Sequence, residues 1–155
     1  LFWENPNIHP YVEYHSRFES FKKMAGVLGA EIRRGDVSYG LERFLVALGG
    51  DFGPSRCAAC FRMRLNATAS RARQDGFESF STTLLISPFQ DHDLLVAIGR
   101  EAGREHGVAF VETDLRPAFP DTHAGARENE LYRQKYCGCV FSERDRFAPK
   151  LRLAL

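Results

Sequence analysis

The 155-residue sequence has no apolar run approaching the ~20 residues that a membrane-spanning helix needs. Its opening residues show no charged stretch running into an apolar one, so no secretory signal is read there. GxGxxG, P-loop, HExxH and nucleophile-elbow motifs are missing, which removes the usual dinucleotide, nucleotide, zinc-protease and hydrolase signatures. No internal repeat and no low-complexity tract is present. Charge of one sign is also lacking: the formal net charge is +1, which by itself names no partner. The length is that of one domain, 1–155, with enough chain to bury a core, and the expected compartment is the cytoplasm.

Lysine is scarce, 4 against 17 arginines. Arginine's planar fork suits phosphate and carboxylate, whereas lysine acts as a point charge. Arg56, Arg62, Arg64, Arg71 and Arg73 crowd a segment free of acids, bounded by Asp51 and Asp75. Such a helix could run along nucleic-acid phosphates; a solvated face or an arginine-rich genome accounts for it equally.

Hydrophobic spacing orders the rest. "LFWENPNIHP" begins as a short strand and turns at Asn5-Pro6. Helical periodicity covers Tyr11 to Leu28, with Pro10 in its first turn, and Gly29 stops it. Arg34-Gly35-Asp36 reads as a loop, Leu41 to Leu48 as a short helix, and the segment after Ser55 as a helix reaching Asp75. "FSTTLLIS" reads as a buried strand, with a helical turn also open at that length, Asp91 to His106 as an amphipathic helix and "VAFVE" as another strand. "DLRPAFPDTHAGAR" is loop-like, 126–137 is expected to be helical, and the pattern beyond Cys139 is weak. Strands alternating with helices indicate an α/β domain with a mainly parallel sheet.

The four cysteines form two tight pairs, which without a secretory signal argues for metal or redox chemistry rather than a disulfide scaffold. Cys57-Ala-Ala-Cys60 lies at or just before a helix N-terminus, where free amides, the helix dipole and Arg56 all favour thiolate. Cys137-Gly-Cys139 needs a bend at Gly138 to bring its sulfurs together, and a bridge there would be strained and readily reduced. A zinc ribbon usually separates its two knuckles by roughly 15–20 residues; here 76 residues intervene, so a shared site must be assembled by the fold. Zinc, an iron–sulfur cluster and a dithiol couple all stay open from spacing alone.

Four stretches narrow this: "NPNIHPYVEY" (5–14), "RCAACFRMRL" (56–65), "TTLLISPFQDH" (82–92) and "YRQKYCGCVFS" (132–142). In this order and spacing they resemble the epoxyqueuosine reductase family QueH, from residue 1 to about residue 142. The resemblance implies reduction of epoxyqueuosine to queuosine at the tRNA wobble position. It implies a Rossmann-like, three-layer α/β domain with a four-iron, four-sulfur cluster, a further iron being allowed for. Cys57 and Cys60 match cluster and metal ligands, and Cys137 and Cys139 match a redox-active pair that cycles through a disulfide. The partners implied are a tRNA carrying epoxyqueuosine and an electron donor; no membrane is involved. Family members carry an upstream strand ending in adjacent cysteines, the other two ligands, which this sequence does not contain. Either the chain is truncated or this homologue has lost its cluster; the opening Leu1 favours a truncated chain without its first strand, expected to be colourless and inactive by itself.

Outside the cysteines, Arg133, Gln134 and Tyr136 stand beside the CGC pair, and epoxide opening needs a proton or hydrogen-bond donor. Arg133 and Tyr136 join the catalytic candidates; Tyr11, His9 and His92 are further possible donors. Ligands of open α/β sheets gather at strand carboxyl ends, which marks Asn5, Asn7, His9, Ser87 and Asp91 for substrate, with Tyr11 and Gln134. Each has an ordinary alternative: turn and cap chemistry for Asn5, Asn7 and Asp91, or a half-buried tyrosine with its hydroxyl satisfied. Tyr11, Tyr14 and Phe18 could stack on a splayed base or serve the core. Two rival classes remain, an RNA-binding module with a four-cysteine structural zinc and a thiol–disulfide oxidoreductase.

Overall fold

Two short parallel ladders organise the chain. The computed structural model describes residues 1–35 and 39–152. Strand β1 (Phe2–Trp3) pairs in parallel with β2 (Arg33–Arg34), Trp3 lying opposite Arg34, after the crossover helix α1 (Tyr11–Val27). Strand β3 (Ser79–Phe80) pairs in parallel with β4 (Ala109–Phe110) across the helix α4 (His92–His106). The α/β class and the parallel pairing follow the sequence pattern; among the described residues the pairing forms two two-stranded sheets. Helix α2 (Leu41–Leu48) and helix α3 (Arg56–Gln74) lie between the ladders in sequence, and α5 (Asp121–Glu128) and α6 (Val140–Arg152) follow them. Among the described residues no helix is long and apolar enough to cross a membrane.

Three segments differ from the reading of the sequence. The "FSTTLLIS" strand ends at Phe80, because the Thr82 hydroxyl accepts the Leu84 N–H (3.3 Å) and turns Thr83–Ile86 into a 3₁₀ helix that buries Leu85. An apolar run as short as Leu84–Ile86 cannot by itself distinguish these outcomes. The "DLRPAFPDTHAGAR" loop holds a 3₁₀ turn (Arg116–Ala118) and α5, since proline at a helix start costs nothing. The helix expected over 126–137 stops at Glu128; Glu130 takes a positive φ of 49°, and the next helix is α6, in the tail that looked weakest. Arg34 also belongs to β2 rather than to a loop, and Asp36 lies outside the described residues.

The main core joins α3 to α4 and the second ladder. Phe61, Leu65, Ala69 and Ala72 line one face of α3 at helical spacing and meet Leu95, Ile98 and Ala102 of α4, with Phe80, Leu85 and Val108. Fully burying side chains of this kind stabilises by about 1.5–3 kcal/mol each. Helix α4 reaches β4 closely only because it is bare there. A Cβ on Gly99 would stand 2.5 Å from the Phe110 ring, and one on Gly103 would stand 2.7 Å from the Val108 carbonyl oxygen. A second cluster packs Trp3, Ile8 and Tyr14 with Phe18 and Phe21, and the Trp3 indole N–H donates to the Tyr14 hydroxyl (3.1 Å). Tyr14 and Phe18 therefore serve the core, leaving Tyr11 alone exposed among the three aromatic residues considered for stacking. A third cluster binds α2, α3 and α6 through Phe44, Leu48, Met63 and Phe141, and encloses three of the cysteines.

The contrast between two helical glycines tests this packing. Gly103→Ala should destabilise the protein by about 1–3 kcal/mol in urea unfolding, because the Val108 backbone must give way. Gly125→Ala, which meets nothing within 4 Å inside α5, should be neutral or stabilise by about 0.5–1 kcal/mol.

Candidate redox site

Helix α3 begins on a fixed turn. The Asp51 carboxylate accepts the Gly53 N–H (3.0 Å) and the Ser55 hydroxyl, so Ser55 occupies the cap position but makes no cap hydrogen bond of its own. Arg56, the first helical residue, donates to the Phe52 and Gly53 carbonyls (3.1 and 3.0 Å) and to Asp145 of α6 (2.6 Å). Cys57 and Cys60 follow one turn apart. The thiolate character expected for them is reversed: burial pushes Cys57 up despite Arg56, and pushes Cys60 up to about 11 despite Arg64. Taking a charge out of water costs more here than the helix end returns.

Cys137 and Cys139 sit on a bent loop. Gly138 takes a φ of 115°, and a Cβ there would meet Ile8 Cγ1 at 2.9 Å and Arg17 Nη1 at 3.1 Å. Only glycine takes that backbone without strain. The bend makes Cys139 the residue before α6, and the Ser142 N–H donates to its sulfur (3.3 Å) as to a helix-capping oxygen. The Cys137 thiol donates to the Ser142 hydroxyl (3.0 Å), which in turn donates to the Cys139 carbonyl (2.7 Å). The Cys137 thiol and the Ser142 and Phe141 amides draw Cys139 down to about 5 against its burial, and Cys137 rises well above the usual thiol range. The pair thus keeps charge on one sulfur and the proton on the other. All four cysteines are free thiols, the reduced form of the CGC pair.

The two pairs come together despite the sequence gap. Cys60, Cys137 and Cys139 share the third apolar cluster, and the charge of Cys139 is felt by Cys57, Cys60 and the Arg56 guanidinium. Among the described residues no three His, Cys, Asp or Glu side chains are arranged to hold a metal ion. The two thiols of α3 are half of the four that a four-iron cluster takes.

A clamp from α1 holds the CGC loop. Arg17 donates to Glu13 (2.7 Å), to Gln134 Oε1 (2.8 Å) and to the carbonyls of Tyr136 (2.8 Å) and Cys137 (3.1 Å). Glu13 also accepts the Tyr132 hydroxyl. The His9 N–H donates to the Gly138 carbonyl (2.8 Å), and the Tyr136 hydroxyl donates to the His9 carbonyl (2.5 Å). These bonds occupy the backbone carbonyls of residues 136–138 and fix the loop against α1. Neither Arg17 nor Glu13 was singled out in the sequence; the only signal is an acid and a base four apart on one helix.

The other candidates scatter. Arg133 turns from the thiols to His123 of α5, while Gln134 serves the clamp. His9 Nδ1 shares a hydrogen bond with the Tyr39 hydroxyl (2.7 Å). Asn7 is buried with Oδ1 unpartnered, and His92 has a buried, unpartnered Nε2. Asn5 is half-buried, its carbonyl accepting the Ile8 N–H, and Tyr11 is exposed. Ser87 accepts the Phe89 N–H (3.3 Å). Asp91 caps α4 through the Leu94 N–H (3.0 Å), and its charge reaches Cys57.

Two measurements check this geometry. In reduced, metal-free protein, thiolate forms as pH rises through each pKa. The ultraviolet thiolate absorbance should therefore keep at pH 6–7, where an ordinary thiol of pKa about 8.5 is almost wholly protonated, a component that Cys139→Ser removes, with Cys57 and Cys60 contributing only at higher pH. Arg17→Met should cost about 3–5 kcal/mol of stability by leaving Glu13 buried and unpaired, and adding Glu13→Gln should recover part of that loss.

Comparison with known proteins places the arrangement. The sequence profile described as epoxyqueuosine reductase QueH matches residues 1–145. The epoxyqueuosine reductase QueH of Dehalococcoides mccartyi is 40% identical over 147 residues, an alignment covering 95% of this chain and 80% of that protein. That of Helicobacter pylori is 43% identical over 157 residues, covering 91% of this chain but 41% of the relative. That of Thermotoga maritima is 37% identical over 149 residues, covering 92% and 78%. The chain thus spans most of two relatives and less than half of the third. With the family's profile running through both cysteine pairs and the clamp on α1, the chain belongs to the epoxyqueuosine reductase QueH family.

Proposed function

We propose that this chain reduces epoxyqueuosine to queuosine at the wobble position of tRNA, with the CGC pair as the immediate two-electron donor. The relatives are named for this reductase activity. The observation that carries the assignment of roles is the Cys137–Gly138–Cys139 loop, which bends two free thiols around Ser142 and aims the Ser142 N–H at the Cys139 sulfur. The balance closes. The Cys139 thiolate and the Cys137 thiol lose two electrons and one proton as their S–S bond forms. The epoxide takes up those two electrons and two protons, one from Cys137 and one from solvent. Both of its C–O bonds break, a carbon–carbon double bond forms and water leaves. An external two-electron donor must then reopen the disulfide.

Cys137 is the acid in this reading. The Tyr136 hydroxyl also keeps its proton, since burial and then Glu13 push its pKa up, but that proton is committed to the His9 carbonyl. Tyr136 is accordingly a positioning residue for the loop, as is Gln134 through Arg17. Arg56 supplies the fixed positive charge beside Cys139. Cys57 and Cys60 fit one half of a four-iron, four-sulfur cluster: two half-buried thiols one turn apart, within electrostatic reach of Cys139. When bound, such a cluster supplies one-electron chemistry next to the dithiol. A thiol–disulfide oxidoreductase acting through Cys57 and Cys60 is disfavoured, because burial raises both thiols instead of activating them.

Anaerobically prepared full-length protein separates the roles. Cys57→Ser should lose iron and visible absorption together, because a hydroxyl does not replace a thiolate on iron. Cys139→Ser should keep both and lose turnover on tRNA carrying epoxyqueuosine. Loss of iron in Cys139→Ser would make CGC a ligand motif and overturn the division. Zinc in place of iron, with no redox response, would favour the RNA-binding module.

A further inference from the structure

Phe89 is 80% exposed on the segment between the Thr83–Ile86 turn and α4. Its surroundings are built. The Phe89 ring meets the Phe119 ring edge-on at 5.6 Å and 85°, and Phe119 meets His123 in the same way at 5.5 Å and 85°. Arg133 closes the row through a hydrogen bond to His123 Nδ1. The Phe89 N–H is held by the Ser87 hydroxyl (3.3 Å), and the Thr122 hydroxyl donates to the Phe119 carbonyl (2.6 Å). Edge-on bracing fixes a ring while leaving most of its area in water.

The row connects to the thiol site at each end through its neighbours in the chain, while the Arg133 side chain itself turns to His123. Asp91, two residues beyond Phe89, is near enough for its charge to act on Cys57. Arg133 belongs to the segment that leads into Cys137. The patch is one ring wide and ends in a guanidinium, a pairing that matches a nucleobase with its phosphate. An apolar protein surface would need a broader face. RNA-binding proteins hold splayed bases on aromatic faces and arginine planes, and each such stack is worth about 1–3 kcal/mol, or about 5–150-fold in affinity.

We propose that Phe89, braced by Phe119, is a stacking platform for an unpaired RNA base next to the nucleoside presented to the thiols, with Arg133 placed for the adjoining phosphate. This rests on the reading of the chain as a tRNA reductase, and adds the face on which the RNA is held. No role in the redox chemistry falls to Phe89.

The test measures binding of a synthetic anticodon stem-loop by fluorescence anisotropy, alongside reduction of epoxyqueuosine-containing tRNA. Phe89→Ala should weaken stem-loop binding about 5–50-fold, raise KM in step and leave kcat unchanged. Phe89→Trp should restore affinity, which a merely structural defect would not. Arg133→Ala should lower the slope of log affinity against log salt by about one. Equal binding by wild type and Phe89→Ala would overturn the platform and leave the reductase reading standing. Failure of the wild type to bind the stem-loop would remove both. Unchanged RNA binding with slower reduction by a protein electron donor would assign the patch to that donor and overturn the proposal.

Discussion

The thiol site depends on one nearly buried ion pair. Glu13 and Arg17, with side chains 9% and 10% exposed, lie one turn apart on α1 and bond to each other before either touches the loop. Neither charge could stay out of water alone. Once paired, Arg17 has donors left for two carbonyls and Gln134, and Glu13 has an oxygen left for Tyr132. A loop with no secondary structure of its own is thereby held at both of its cysteines' shoulders. The shape of the loop is an output of α1, more than 110 residues away in sequence.

That shape decides which sulfur carries charge. Three of the four cysteines lie in or next to a first helical turn, yet only Cys139 is drawn down. The difference is what each sulfur points at. Cys57 and Cys60 are inside their helix, so its free amides are not aimed at them, and burial dominates. Cys139 stands just before its helix and receives the Ser142 amide directly, with the Phe141 amide adding to it. A helix end acts on a thiol through aimed N–H groups far more than through proximity.

Much of this was legible in the residues and some was not. Helices α1 to α4 were readable because each carries a sustained apolar face and a recognisable stop, such as Gly49 after Leu48 and Gly107 after His106. The CGC bend was readable from Gly138 alone. Helices α5 and α6 were obscured: α5 buries no residue, and Pro149 inside α6 argued against a helix there. The helix expected at 126–137 ends at Glu128, where Glu130 turns to a positive φ and the chain is drawn toward α1 by contacts of Arg17 and His9 with residues 136–138, a tertiary demand that no local pattern records. Arg133 and Tyr136 were rightly placed near the CGC motif in sequence, but one side chain turns toward α5 and the other is spent on a carbonyl.

Gly138 has a historical consequence. The space its missing side chain would fill is already taken, by Ile8 on one side and by Arg17 on the other. Drift at the thiol spacer is therefore blocked unless the "NPNIHP" segment and α1 change in the same step. Two regions far apart in the gene, one holding Ile8 and Arg17 and the other the CGC loop, are fitted to each other, so a recombination that exchanged either end of this domain for a distant relative's would break the fit before it touched a cysteine.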